Sequence, residues 1–232
     1  MKIPNPLICD KLPNRMKISP KTIIFDFDGV LVDTHKDIAL AANYVLTQAG
    51  LPELPPETIK GYIGNGPVVL MQRCLAKRSA DLLEKLAPLF EQRYKEYPFA
   101  ESSLYPGVMK VLAHYNKRGK TMAIATQKSG AMTSMILENL GVPMSFSAIV
   151  GADSVKNRKP HPESLLHILE QTQTLAHQAV MIGDVPSDIL AGKAAGTLTC
   201  AVTYGYGQPS ELEKIKPDFT IHRIEELLDW VD

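Results

Sequence analysis

The sequence predicts an α/β protein, a doubly wound parallel sheet carrying an inserted all-helical cap, and three observations lead there. Short apolar runs without helical period, such as Ile23-Ile24-Phe25, Met122-Ala123-Ile124-Ala125 and Ala179-Val180-Met181-Ile182, each end in a polar cluster. That is the texture of strands buried on both faces of a parallel sheet, with ligands expected beyond their carboxyl ends. From Pro106 onward such runs alternate with helical patterns, which implies helices on both faces of the sheet. Between residues 36 and 100, by contrast, no strand-like run occurs.

Taken in order, residues 1–19 carry Pro4, Pro6 and Pro13 and read as an irregular leader. The first strand runs from Thr22 and stops at Asp26-Phe27-Asp28-Gly29. After Thr34, Ile38, Ala41, Ala42, Val45, Leu46 and Ala49 follow helical spacing until Gly50 and Pro52 end it. Two further helical patterns cover about 66 to 78 and 79 to 97, the second with Leu82, Leu83, Leu86, Leu89 and Phe90 behind Ser79 as a possible cap. Then come a helix to Arg118-Gly119, a strand Thr121 to Ala125, a helix Ser129 to Leu140 and a strand Ala148 to Val150. A helix from about Pro162, a strand Val180 to Gly183, a helix ending at Gly196, a strand Thr199 to Val202, and a short strand and helix from Phe219 complete a Rossmann-like core. The expected units are a core of 20–35 with 105–232 and a cap of 36–104.

Composition is that of a soluble globular protein: 232 residues, 45% apolar, 22% charged, with 25 basic and 25 acidic residues. Balanced charge gives no reason to expect a nucleic-acid or membrane-surface partner, so any anion site must be built locally. Cys9, Cys74 and Cys200 are odd in number and lack a metal-ligand spacing, which fits a reducing cytoplasm and predicts no disulfide. No signal-peptide core or membrane-length run is present in the sequence.

The polar clusters all fall on one rim. Asp26 and Asp28 can converge because Gly29 ends the strand, and two converging carboxylates suit a cation or shared proton chemistry. Thr126-Gln127-Lys128-Ser129, Arg158-Lys159-Pro160-His161-Pro162 and Gly183-Asp184-Val185-Pro186-Ser187-Asp188 follow later strands. Each has a plainer role open to it: Asp28-Gly29 as a turn, Thr126 and Ser129 as helix caps, Lys159 as a solvated charge, Asp184 and Asp188 as turn and cap residues.

With Asp26-Phe27-Asp28-Gly29-Val30-Leu31-Val32-Asp33-Thr34, then Thr126, Lys159-Pro160, and Gly183-Asp184 with Asp188, the chain resembles the haloacid dehalogenase-like hydrolases from Lys21 onward. The resemblance implies Asp26 as a nucleophile that takes up a phosphoryl group, dividing one difficult displacement into two. It implies Asp28 as the acid for the leaving oxygen and then the base for water. Mg2+ would be held by Asp26, Asp184 and the Asp28 carbonyl, with Asp188 orienting its waters. Lys159, Thr126 and the backbone near Phe27, Gly29 and Gln127 would hold the phosphoryl oxygens. Zinc does not fit, because no His or Cys cluster accompanies the carboxylates.

A finer likeness concerns substrate. Ile63-Gly64-Asn65-Gly66-Pro67 with Leu70-Met71-Gln72-Arg73, Asn157 to Pro162, and Thr203-Tyr204-Gly205-Tyr206-Gly207 resemble bacterial phosphoglycolate phosphatases. Arg73 and Asn65 would then meet a substrate carboxylate, with His35 a further candidate near the leaving group. The Gln in Thr-Gln-Lys and the Val185-Pro186 pair depart from that pattern. Phosphatases for a sugar phosphate, an amino-sugar phosphate, a nucleotide or pyrophosphate share the outline. The expectation is a cytoplasmic, Mg-dependent phosphatase for a small-molecule phosphate ester, monomer or homodimer. The alternative of another class is a phosphoacceptor module without catalysis.

Overall fold

Strand β1 (Thr22–Phe25) is buried along its whole length and is followed by the two-residue strand β2 (Val32–Asp33) and helix α1 (His35–Gln48). Helices α2 (Pro56–Lys60), α3 (Pro67–Cys74) and α4 (Ala80–Glu96) come next, then strand β3 (Ser103–Leu104). The remainder alternates: α5 (Val108–Lys117), β4 (Thr121–Ala125), α6 (Gly130–Asn139), β5 (Phe146–Val150), α7 (Glu163–Gln171), β6 (Ala179–Gly183) and α8 (Pro186–Ala195). It closes with β7 (Leu198–Val202), α9 (Pro209–Ile215), β8 (Phe219–Ile221) and α10 (Leu227–Trp230). This is a computed structural model that describes residues 18–76, 80–96, 100–143 and 146–232. Ser79, the leader up to residue 17, and the expected helix ends at 78 and 97 lie outside the described residues.

The six-stranded sheet has the order β5-β4-β1-β6-β7-β8, and every pairing in it is parallel. The chain winds outward from β1 through β4 to β5, then returns to β6 beside β1 and winds the other way. Such a reversal leaves a crevice at the strand ends where the direction changes. Asp26 stands there: its N–H donates to Ile182 O at 2.8 Å, extending the β1–β6 ladder by one residue.

Side chains alternate across the sheet as strand geometry requires. Ile23, Phe25, Met122, Ile124, Val180 and Ile182 join one apolar cluster with Val111, Leu112 and Tyr115 of α5 and Ile136 and Leu137 of α6. Ile24, Ala123, Ala125 and Met181 join another with Leu165, Ile168 and Leu169 of α7 and Ala191 and Ala195 of α8. Each large apolar side chain buried this way is worth about 1.5–3 kcal/mol.

The helices α1 to α4 lie between β2 and β3, and those two short strands pair antiparallel, Val32 with Leu104 and Asp33 with Ser103. The two connecting segments therefore run side by side. Asp37 in α1 fastens them, accepting from the Glu101 N–H at 3.0 Å and the Ser102 hydroxyl at 2.6 Å. Among the described residues no helix is long and apolar enough to cross a membrane.

Candidate active site

Asp26 begins the site because β1 is too buried to end anywhere but at the sheet rim. Its Oδ1 accepts from the Phe27 N–H at 2.7 Å and lies 3.1 Å from Lys159 Nζ. Lys159 also donates to Ala125 O at 2.7 Å and lies 2.7 Å from Asp188 Oδ1. It is thus a buried cation fixed between the ends of three strands, and not a solvated charge. Burial works against its charge, but Asp188 and then Asp26 hold the ammonium above its usual range.

Asp26, Asp184 and Asp188 are all buried, with one oxygen of each within 4.8 Å of the others. Burial, then Asp188, push Asp26 up to about 7 against the pull of Lys159. Burial, Asp188 and Asp26 likewise raise Asp184 well above the carboxylate range. Asp184 Oδ2 accepts from the Tyr206 N–H at 2.7 Å, while its Oδ1 is buried without a hydrogen-bond partner. A buried carboxylate oxygen with no donor, facing two further carboxylates, is the chemistry of a site for a hard cation. Two glycines allow the backbone to close on it. A Cβ at Gly29, where φ is +84°, would lie 2.1 Å from Asp184 Oδ2, and one at Gly205 would lie 2.4 Å from the same atom.

Asp28 is held differently. Its Oδ1 accepts from the Thr34 hydroxyl at 2.6 Å and lies 3.3 Å from Lys128 Nζ. Thr34 occupies the N-cap position of α1 yet makes no side-chain cap bond; its hydroxyl donates to Asp28 instead. Its N–H donates to the Tyr206 hydroxyl at 2.7 Å, and Tyr206 donates to Asp33 Oδ1 at 3.0 Å. His35 lies 2.5 Å from that same Asp33 oxygen through Nδ1. Burial alone would raise Asp33; the bonds from His35 and Tyr206 outweigh it and hold the carboxyl below its usual range.

Thr126 is buried, and its Oγ accepts from the Lys128 N–H at 3.2 Å. Gln127 Nε2 donates to Lys159 O at 2.9 Å, tying two strand-end loops together. Asp188 does cap α8, accepting from the Val185 N–H at 3.2 Å through Oδ2, while Oδ1 serves Lys159. Ser129 caps α6 through the Met132 N–H.

Beside these groups lies a cavity of about 360 Å³, bounded on one side by the core and on the other by Ile63 and Gly64 of the α2–α3 turn, Leu70 of α3, and Phe90 and Tyr94 of α4. Asp26, Asp28, Thr126, Gln127 and Lys128 line it. Arg73, Asn65 and His35, expected to meet the substrate, are not among its lining residues. Arg73 is exposed and donates to Tyr62 O at 3.1 Å, Asn65 is exposed beside Gly66, and His35 is buried on Asp33. The spacing of α3 turns Arg73 outward because Leu70, Met71 and Cys74 occupy its buried face.

Three groups were not singled out from the sequence. Lys128 sits in the polar Thr126 to Ser129 cluster, where the sequence alone gives it no role of its own. Tyr94 continues the buried stripe of Leu86 and Phe90 at helical spacing, which reads as core. Arg158 stood beside Lys159; it lines the cavity, and a Cβ on Gly66 would come within 2.8 Å of its guanidinium.

Residues 23–202 match the family model described as haloacid dehalogenase-like hydrolase. A phosphoglycolate phosphatase of Vibrio parahaemolyticus is 35% identical over 218 residues, covering 91% of this chain and 96% of that protein. One from Chromobacterium violaceum is 36% identical over 214 residues, covering 90% and 95%. The crystal structure of a predicted phosphoglycolate phosphatase from Haemophilus somnus superposes with a TM-score of 0.84 at 29% identity, covering 90% of this chain and 96% of that one. With its family model spanning most of its length and its strand-end residues gathered at one crevice, the chain belongs to the haloacid dehalogenase-like hydrolases.

Proposed function

We propose that the protein hydrolyses a small phosphomonoester in two displacements, with phosphoglycolate as the substrate. The observation that carries the chemistry is the unequal setting of two neighbouring carboxylates. Asp26 has both of its donors on Oδ1, so Oδ2 is the oxygen that attacks phosphorus. The bond from phosphorus to the ester oxygen breaks as the aspartyl phosphate forms, and Asp28 gives a proton to the departing oxygen. Asp28 then takes a proton from water, the water oxygen attacks phosphorus, and inorganic phosphate leaves with Asp26 restored.

Lys159 meets the charge on the transferring group, and Thr126 with the backbone of Phe27, Gly29 and Gln127 supplies donors to its oxygens. The carboxylates of Asp26 and Asp184, with the Asp28 carbonyl, suit Mg2+, an oxygen-seeking ion that keeps part of its water shell. When bound, it would neutralise charge on the phosphoryl group and let Asp26 ionise. Asp188 fixes Lys159 and closes the acidic cluster beside Asp184.

The named relatives support phosphoglycolate, and the cavity of about 360 Å³, near the small end of ligand sites, supports a small leaving group. A cavity over Asp26 lined by both the core and the inserted segment also favours an enzyme over a phosphoacceptor module, which has no use for a lid. The 36–104 insertion is the cap and 20–35 with 105–232 the catalytic core in this reading, and the composition supports a cytoplasmic setting. The test is phosphate release, with Mg2+ and with chelator, across phosphoglycolate, sugar phosphates, nucleotides and pyrophosphate. Release that needs Mg2+, is highest on phosphoglycolate and vanishes in Asp26→Asn is expected; no release from any ester would overturn the reading.

A further inference from the structure

The cation closest to the proton-donating group is Lys128, which belongs to the core loop after β4 but is completed by the inserted helices. Its side chain is 6% exposed, its Nζ lies 3.3 Å from Asp28 Oδ1, and it donates to the Tyr94 hydroxyl of α4 at 2.8 Å. The same Nζ sits 4.2 Å from the centre of the Tyr94 ring, an arrangement that favours the cation further. An ammonium has three donors. Asp28 and Tyr94 take two of them, and Lys128 lines the cavity into which the leaving group must extend.

Distance selects what the third donor can bind. To pass a proton, Asp28 must stand within about 3 Å of the leaving oxygen. With Asp28 Oδ1 as the shared atom, Lys128 Nζ stands at most about 6 Å from that oxygen. Ordinary bond lengths put the oxygens of a carboxylate one carbon away at about 3 Å from the leaving oxygen, which brings them to hydrogen-bond distance of the ammonium when the path from the leaving oxygen through Asp28 to Lys128 is bent. A carboxylate on a longer chain overshoots and has to fold back. The other two cations near the cavity mouth, Lys95 and Arg158, are exposed and correspondingly screened by water.

We propose that Lys128, backed by Tyr94 of the cap, is the subsite for the leaving group's carboxylate and selects phosphate esters that carry it on the carbon next to the ester oxygen. The proposal rests on the phosphatase reading above and places the carboxylate on the core loop, not on Arg73.

The test compares phosphoglycolate with 2-hydroxyethyl phosphate, which matches it in length and lacks the charge, in wild type, Lys128→Met and Tyr94→Phe. Loss of one charged hydrogen bond should collapse the kcat/KM preference for phosphoglycolate on the order of 10- to 100-fold in Lys128→Met, chiefly through KM. The inhibition constant of the product, glycolate, should rise by a similar factor, and Tyr94→Phe should move both in the same direction by less. Equal losses on the two esters would mean that Lys128 only steadies Asp28, and would overturn the subsite. So would a preference that survives in Lys128→Met. A wild type that releases phosphate yet shows no preference would remove phosphoglycolate as substrate and leave the phosphatase standing. Should Lys128→Met fail to fold by circular dichroism, Tyr94→Phe and glycolate inhibition of Lys128→Gln decide the matter.

Discussion

Removing divalent metal should make this protein less stable as pH rises through neutrality, and the reason lies in Asp26. Its carboxyl is pushed from an ordinary value of 3.8 to about 7, by burial first and by Asp188 second. A native state that keeps a proton the unfolded chain has released is favoured by acid, so stability in chelator should fall as pH climbs from about 4 toward 7. At about 1.4 kcal/mol per tenfold in the proton equilibrium, forcing Asp26 to ionise costs up to about 4 kcal/mol. Asp184, raised in the same direction, steepens the fall. Neither of two other displaced groups interferes. Lys159 is held above its usual range, so its contribution is lost only at strongly alkaline pH, and Asp33, held low, loses its contribution only in acid. A bound dication stabilises the ionised carboxylates and should offset the fall, since metal affinity grows as its ligands lose protons. The assay is thermal unfolding from pH 5 to 8 in EDTA and in MgCl2. A chain of this size moves about 2–4 °C per kcal/mol, so the metal-induced gain in Tm should widen by on the order of 10 °C across that range. Asp26→Asn should flatten the slope in EDTA. Parallel EDTA curves for wild type and Asp26→Asn, or a metal effect independent of pH, would refute the reasoning.

Two substitutions probe the supports of the site. Gly29→Ala places a methyl 2.1 Å from Asp184 Oδ2 at a φ of +84°, so a loss of at least about 2 kcal/mol in urea unfolding is expected, together with weakened Mg2+ binding by calorimetry. Metal affinity equal to wild type would show that Asp184 does not need that close approach. Thr34→Val removes the 2.6 Å donor on Asp28, and should lower kcat on the order of 10- to 100-fold with KM little changed; an unaltered kcat would separate Thr34 from the orientation of the acid.

What could be read in advance follows from how each element is buried. Parallel strands covered on both faces leave unbroken apolar runs, so Ile23 to Phe25 and Ala179 to Ile182 announce themselves, and the polar residues after them mark the rim. The pairing of Val32–Asp33 with Ser103–Leu104 is too short to carry a period and spans the whole helical insertion. Helix α2 hides in a proline-rich stretch, with Pro56 at its first turn, and α9 likewise begins at Pro209. Strand β5 starts at Phe146, two residues before the expected Ala148, because its edge position leaves Ser147 exposed. At the site, the carboxylates and Lys159 could be placed from motif and order. Lys128 and Tyr94 could not be paired, since their contact joins two segments 34 residues apart and each has a bland reading alone.

The two central carboxylates also differ in what must be assembled around them. Asp26 is held by Phe27, Lys159 and the β6 ladder, none of them in the inserted helices, so the proposed nucleophile takes these contacts without the insertion. Asp28 takes one donor from Thr34, at the start of the connecting segment, and approaches Lys128, whose other partner is Tyr94 in α4. The environment of Asp28, the proposed acid, therefore depends on the insertion and on the segment leading to it. Phosphoryl chemistry common to a family belongs with groups that never change their setting; protonating one particular leaving oxygen belongs with groups that the leaving group and its lid help to position. By that logic, substitutions on α4 should alter which ester is cleaved long before they disturb the proposed uptake of the phosphoryl group by Asp26, because among the described residues Tyr94 is linked to Asp28 through Lys128, whereas Asp26 is held by Phe27, Lys159 and the β6 ladder.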